Sequence, residues 1–235
     1  MLYPAGSRAL WVAASLGLGV PVALAYDHQD SVSVRADPSV DLTSLHTWMG
    51  DGKLVVAVGV NPNATTSTRF SAAALYTVHI HRGAAYRMPT SETTIVCRFD
   101  AAQIITCWPG DDRTETTTGD ASNPNGILSA SGRFRVFASP RADPEQVYVD
   151  GYQRMVTAFD ALVPTLPING AGCPTGLEPA RSTELLTTLR QTPEGTDAIS
   201  TFADSNVLSI VMELDVSLLR GAGDILSVWA STNAR

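Results

Sequence analysis

Apolar and polar positions alternate through several short runs of the chain, which is the pattern of β-strands with one buried face. The clearest alternating runs lie at 74–81 and 133–138, and strands are also predicted at 53–60, 206–214 and 224–231. The run at 53–60 is apolar almost throughout, which predicts a strand buried on both faces. Asp51 and Gly52 precede it and predict a tight hairpin turn. Pro140 is predicted to end the strand at 133–138.

Helical spacing appears in the second half of the chain. Apolar residues recur every three or four positions over 152–163, and Ser182 is placed to cap a second, shorter helix. The stretch 109–127 is rich in Gly, Pro, Asp and Thr and predicts a long, mobile surface loop, and residues 26–41 predict an extended lead-in. The fold class predicted is therefore mainly β: an antiparallel β-sandwich, with one or two helical insertions in the second half, forming a single domain over 26–235.

The first 25 residues have the pattern of a cleaved secretory signal peptide. Arg8 closes a short basic start, an uncharged apolar run follows, and Ala23-Leu24-Ala25 provides the small residues that a signal peptidase cuts after. We expect a mature chain that begins at Tyr26, is secreted or periplasmic, and has no stable membrane span. The alternative is an uncleaved N-terminal anchor.

The chain is acidic, with a formal net charge of −7, which becomes −8 once Arg8 is removed with the signal. Phosphate binding needs a basic stripe, and the sequence has none. Nucleic acid is therefore not expected as a partner.

Three cysteines suggest one disulfide in an exported protein. Cys97 and Cys107 lie in two short apolar runs, and we predict that they pair and leave Cys173 free. A register that pairs Phe99 with Ile105 puts the two cysteines opposite each other, whereas a shift of one residue sends them to opposite faces. The apolar pattern alone does not choose between the registers, and the alternative is three buried thiols.

The acidic lead-in contains a candidate calcium site. Asp27, Asp30 and Asp41 could supply the oxygen ligands that a hard cation prefers, although their spacing matches no EF-hand loop. Calcium is the one cofactor that the sequence suggests. The alternative is a set of solvated carboxylates.

His79 and His81 form a candidate zinc site, because residues two apart in a strand share a face. A third ligand would have to come from His28, His46 or an acid. The alternative is two histidines on the solvent face of an edge strand.

The chain has no Gly-x-Ser-x-Gly, His-Glu-x-x-His or Gly-rich phosphate motif. A catalytic site built from dispersed residues stays open, because triads are spatial and not sequential.

Several blocks of the chain occur in an order that resembles a known family. They are DHQD at 27–30, DLTSLHTW at 41–48, KLVVAVGVNP at 53–62, VFASPRADP at 136–144, NVLSI at 206–210 and VWAST at 228–232. This order resembles the exported bacterial family catalogued as domain of unknown function 4331. The resemblance implies an exported, sandwich-like protein and no particular activity. The chain departs from the family at Glu145-Gln146, where two Phe are usual, and at His81, where an acid is usual. It also stops at Arg235, where members usually continue.

The function predicted is that of an exported, non-enzymatic β-sandwich that binds a small molecule, a glycan or a protein. Its ligand loops would be those after residues 62, 81 and 109, since loops on a rigid sheet often carry function. One alternative is a metal-dependent hydrolase that uses His79 and His81. Another is a truncated family member that acts as a structural subunit, which would show an exposed apolar edge.

Overall fold

The computed structural model describes residues 31–85, 89–111, 113–170 and 174–235. The strands within these ranges are β1 Leu42–Gly50, β2 Lys53–Val60, β3 Ala74–Gly83, β4 Pro89–Phe99, β5 Ile105–Pro109, β6 Thr117–Gly119, β7 Ile127–Leu128, β8 Phe134–Ala142, β9 Asn206–Asp215 and β10 Ile225–Ala234. They form two antiparallel sheets of five strands each, in the orders β1-β2-β9-β8-β7 (the first sheet) and β10-β3-β4-β5-β6 (the second sheet). The predicted mainly β fold is confirmed.

One apolar core lies between the two sheets, because each strand turns alternate side chains inward. Val56 and Val58 of β2 pack into the same buried cluster as Val78 and Ile80 of β3. Three outward residues of β2, Lys53, Val55 and Ala57, are only partly buried. The prediction that this strand is buried on both faces is therefore wrong, since an antiparallel sheet can leave one face towards water. The predicted turn at 51–52 joins β1 to β2.

Two helices lie between β8 and β9: α2, Val149–Leu162, and α3, Pro179–Arg190. They correspond to the predicted insertions in the second half. Ser182 lies inside α3 and does not cap it, because Pro179, whose fixed φ suits the first turn, starts the helix three residues earlier. A five-residue helix, α1, Val32–Ala36, precedes β1, so the lead-in is not extended throughout.

Two further sequence expectations are wrong. Pro140 lies within β8 and not at its end, because β7 pairs with β8 only at residues 135 and 136. On that side Pro140 faces no partner strand, so its missing N–H costs no ladder hydrogen bond. The stretch 109–127 is not an open loop, since β6 lies within it and pairs with β5.

The outermost strands of the two sheets meet at two sides of the sandwich. β1 and β10 lie together at one side, which we call the open side, and β6 and β7 lie together at the other, which we call the closed side. The lead-in covers one end of the open side. There Tyr76 Oη donates to Ser39 O (3.0 Å), and Thr232 Oγ1 donates to Val40 O (2.7 Å). Burial of the Tyr76 phenol raises its pKa to about 12.

Candidate functional site

An apolar cleft of ≈ 450 Å³ opens between the two sheets on the open side. Trp48 and Met49 stand at its mouth and are 51% and 54% exposed, although both are large apolar side chains. Most of the side chains that line the cleft are apolar, and they include Leu45, Leu54, Val216, Leu219, Leu226 and Val228. Thr47, Arg82 and Asp224 also line it. A water-facing cleft with this lining favours an apolar occupant.

One end of the cleft is fixed by a close backbone contact before β10. Gly223 has φ +113°, and a Cβ at this position would lie 2.2 Å from the carbonyl oxygen of Gly83. Only glycine fits there without displacing the backbone. Arg82 Nε donates to the carbonyl oxygen of Gly223 (2.7 Å), which ties the loop to β3.

The two strands that border the cleft are long edge strands. β10 pairs with β3 at ten consecutive positions without a bulge, and it contains no charged side chain. β1 contains no Asp, Glu, Lys or Arg. Ile225 and Trp229 of β10 are exposed on the outer face of the second sheet. Edge strands are usually shortened, charged or bulged to prevent pairing with other chains, and β10 has none of these protections.

A polar cluster crosses the outer face of the second sheet beside Trp229. His79 Nδ1 lies 2.6 Å from Glu92 Oε1, and His79 Nε2 lies 3.2 Å from Ser231 Oγ. The three residues come from β3, β4 and β10. The imidazole stacks on the indole of Trp229, with ring centroids 3.6 Å apart and planes 3° from parallel. The histidine is therefore held by three neighbours.

These contacts determine the tautomer of neutral His79. The carboxylate of Glu92 can only accept, so Nδ1 must carry the proton that it donates. Nε2 is then the acceptor, and the hydroxyl of Ser231 donates to it. Asn233 Nδ2 donates to Ser231 Oγ (3.0 Å), which leaves the hydroxyl proton for His79.

The predicted zinc ligands His79 and His81 share this outer face, as expected. Glu92 approaches both, with its Oε1 3.8 Å from His81 Nε2. His46, a proposed third ligand, lies instead in the first sheet beside Glu145. Within the described ranges, no group of three or more His, Cys, Asp or Glu has an arrangement that could hold a metal ion. The zinc site stays a prediction.

The predicted calcium ligands cannot be compared with one another, because Asp27 and Asp30 lie outside the described residues, as do the signal sequence and Tyr26. Asp41 is buried at the start of β1, at 2% exposure. The calcium site therefore also stays a prediction.

The predicted disulfide is confirmed. Cys97 and Cys107 are bonded, and they lie directly opposite each other in the register that pairs Phe99 with Ile105. Both are fully buried in the core between the sheets. Cys173 lies outside the described residues.

Sequence reasoning missed Glu115, which lies in the stretch predicted to be a loop. It is buried at 4% exposure, accepts from Ser131 Oγ (2.6 Å), and pairs with Arg133. Burial alone would raise the pKa of this carboxyl, but hydrogen bonds from Ser131, Ser129 and Arg133 outweigh it and hold the pKa below its ordinary value. The sequence carries no signal for this contact, which depends on how the two sheets meet.

A second, more polar cleft of ≈ 420 Å³ lies at the loop after residue 62, one of the predicted ligand loops. Arg69, Gln103 and Asp120 are among the residues that line it. The other two predicted loops include 86–88 and 112, which lie outside the described residues.

No helix in the part of the chain that the structure describes is long and apolar enough to cross a membrane. Comparison with known proteins adds no assignment: no family model, no curated protein and no solved structure matches the chain. The resemblance drawn from the sequence blocks therefore stays a prediction.

Proposed function

We propose that the protein is a partner-binding β-sandwich whose open side takes an extended segment of another protein. The observation that carries the proposal is the uncharged, unbulged edge of β10 beside an apolar cleft. Within the described residues, no further strand pairs with the outer side of β1 or β10. A strand added there would gain main-chain hydrogen bonds, and its alternate side chains would enter the cleft.

The surroundings of the cleft favour a protein segment over the other expected ligands. A glycan or a polar small molecule needs several converging polar groups, whereas most of the side chains that line this cleft are apolar. A second copy of the chain would bring together two molecules that each carry a formal net charge of −7, or −8 once the signal is removed. An extended segment with apolar residues at alternate positions, and without excess negative charge, fits the open side best.

The test is selection of short peptides from a displayed random library on the purified protein. We expect selected peptides to alternate apolar residues, and hydrogen exchange to show slower amides at 225–231 when such a peptide is bound. Protection confined to the second cleft would overturn the proposal, as would failure to select any peptide. If light scattering shows a stable dimer, and substitutions in β10 make the protein monomeric, the edge serves self-association instead.

Export and calcium binding belong to the same proposal. The disulfide suits an oxidising compartment, which supports a secreted or periplasmic location. The intact mass of the mature protein should correspond to a start at Tyr26.

Millimolar calcium should raise the melting temperature if Asp27, Asp30 and Asp41 bind it, and Asp41→Asn should remove the rise. Equal melting curves with calcium and with a chelator would contradict the calcium site.

A metal-dependent hydrolase is supported less well. His79 has protein partners within hydrogen-bond distance at both ring nitrogens, so a metal ion would have to displace one of them. Metal analysis of the purified protein would test this alternative directly.

A further inference from the structure

We infer that Ser231, His79 and Glu92 form a nucleophilic site for acyl transfer on the outer face of the second sheet. The site is separate from the cleft, because Ser231, His79 and Glu92 lie on the outer face of the second sheet. Leu226 and Val228 of β10, which line the cleft, lie on the opposite face. The substrate class is a small carboxylic ester.

The geometry is that of a serine, a base and an orienting acid. Ser231 Oγ lies within hydrogen-bond reach of His79 Nε2, and Glu92 accepts from Nδ1 on the opposite side of the ring. This is the order of contacts by which a histidine removes a proton from a serine in unrelated hydrolases. The acid and the hydroxyl together select the one neutral tautomer that can act as the base.

The reaction proceeds in two balanced steps. Ser231 Oγ attacks the ester carbonyl carbon while its proton passes to His79 Nε2, and the carbon–alkoxy bond then breaks as the alcohol leaves with that proton. Water, which His79 deprotonates, attacks the acyl-serine and releases the carboxylic acid, and the proton returns to Ser231. Asn233 Nδ2 donates to Ser231 Oγ (3.0 Å) and is therefore a side-chain donor beside the reacting oxygen.

The site is partly accessible and has an apolar contact surface. Ser231 is partly buried on an edge strand, the His79 side chain is 17% exposed, and Trp229, stacked on His79, is 47% exposed. The free part of the indole could hold the acyl chain or an aromatic leaving group. An open site with one side-chain donor beside the reacting oxygen predicts slow turnover of activated esters.

The experiment uses a fluorophosphonate probe, which phosphorylates activated serines, and hydrolysis of p-nitrophenyl butyrate. Peptide mapping of the protein with the unmodified sequence should locate the probe on Ser231. Ser231→Ala should reduce both labelling and hydrolysis by about tenfold or more. Ser227→Ala is the matched control, because Ser227 is an exposed serine on the same face of β10, opposite His81. It should change neither signal.

His79→Gln should lower both rates as much as Ser231→Ala. Glu92 is a positioning residue, so Glu92→Gln should shift the pH profile of hydrolysis and Glu92→Asp should partly restore it. Melting curves of all variants show whether each is folded. An unlabelled protein alongside a labelled control hydrolase would overturn the inference, as would a probe mapped to Ser227 or undiminished labelling of Ser231→Ala.

Discussion

The two sides of the sandwich are built in opposite ways. The closed side ends in strands of only three and two residues, β6 and β7, and Glu115 joins the two sheets there through Arg133 and Ser131. The open side ends in strands of nine and ten residues, neither of which carries Asp, Glu, Lys or Arg. Because the chain protects one side by the usual devices, the exposure of the other side is a specific feature and not a general property of the fold.

The largest expected effect comes from removing the covalent link near the closed side. Cys97→Ala with Cys107→Ala should lower the free energy of unfolding by about 2–3 kcal/mol, because the bond closes a short loop in the unfolded chain. Urea denaturation measures the loss. Since β5 carries β6, hydrogen exchange should show the closed side opening before the rest. Cys173→Ala is the control, and an unchanged midpoint in the double variant would contradict the prediction.

The next effect concerns the ionic contact across the closed side. Glu115→Gln should cost about 1–3 kcal/mol at neutral pH, because it removes a buried, hydrogen-bonded carboxylate from its partners. The pKa of Glu115 is lower in the folded protein than the ordinary 4.5. The contribution is therefore complete above that value and is lost as the pH falls through the lowered folded pKa.

Denaturation of the unmodified protein and of Glu115→Gln between pH 3 and 7 measures the difference between their free energies of unfolding. Glu184→Gln is the control, because it breaks an ion pair with Arg181 in which both side chains are about 60% exposed, and it should change stability little. If the difference in free energy of unfolding is the same at every pH, the charge of the Glu115 carboxylate does not contribute to stability.

The smallest effect on stability is expected on the open side. Met49→Lys and Ile225→Lys change exposed side chains and should each alter the free energy of unfolding by about 0.5 kcal/mol or less. They should nevertheless abolish binding of peptides selected on the native protein, as measured by fluorescence anisotropy. Leu128→Lys is the matched control, because Leu128 is similarly exposed but lies on the closed side. If it reduces binding equally, the difference between the two sides has no functional meaning.

The local pattern predicted the strands well and the sheet edges poorly. The apolar pattern predicted β3 and β10, each of which has one buried face, and it placed Cys97 and Cys107 in two short strands without fixing their register. It wrongly ended β8 at Pro140, because whether a proline is tolerated depends on the length of the neighbouring strand. That length is a property of the assembled sheet and has no trace in the residues around Pro140.

The candidate site shows the same limit. His79 stood out because His81 follows two residues later, which suggested a metal. Its actual neighbours, Glu92 and Ser231, are brought to it by strand pairing from 13 and 152 residues away. No short motif could have linked them, and Glu115 was missed for the same reason.

The order of strands in the sheets also has a consequence for folding kinetics. β9 lies in the middle of the first sheet, where β2 pairs with it across about 150 residues of chain, and β10 joins β3 over a similar separation. Neither sheet can therefore be completed before residues 206–234 have been synthesised. Contacts of such long range predict slow folding, because loop closure must precede the pairing that stabilises it. Until then β2 and β3 each lack one of their two partner strands, and the core of the nascent chain is incomplete.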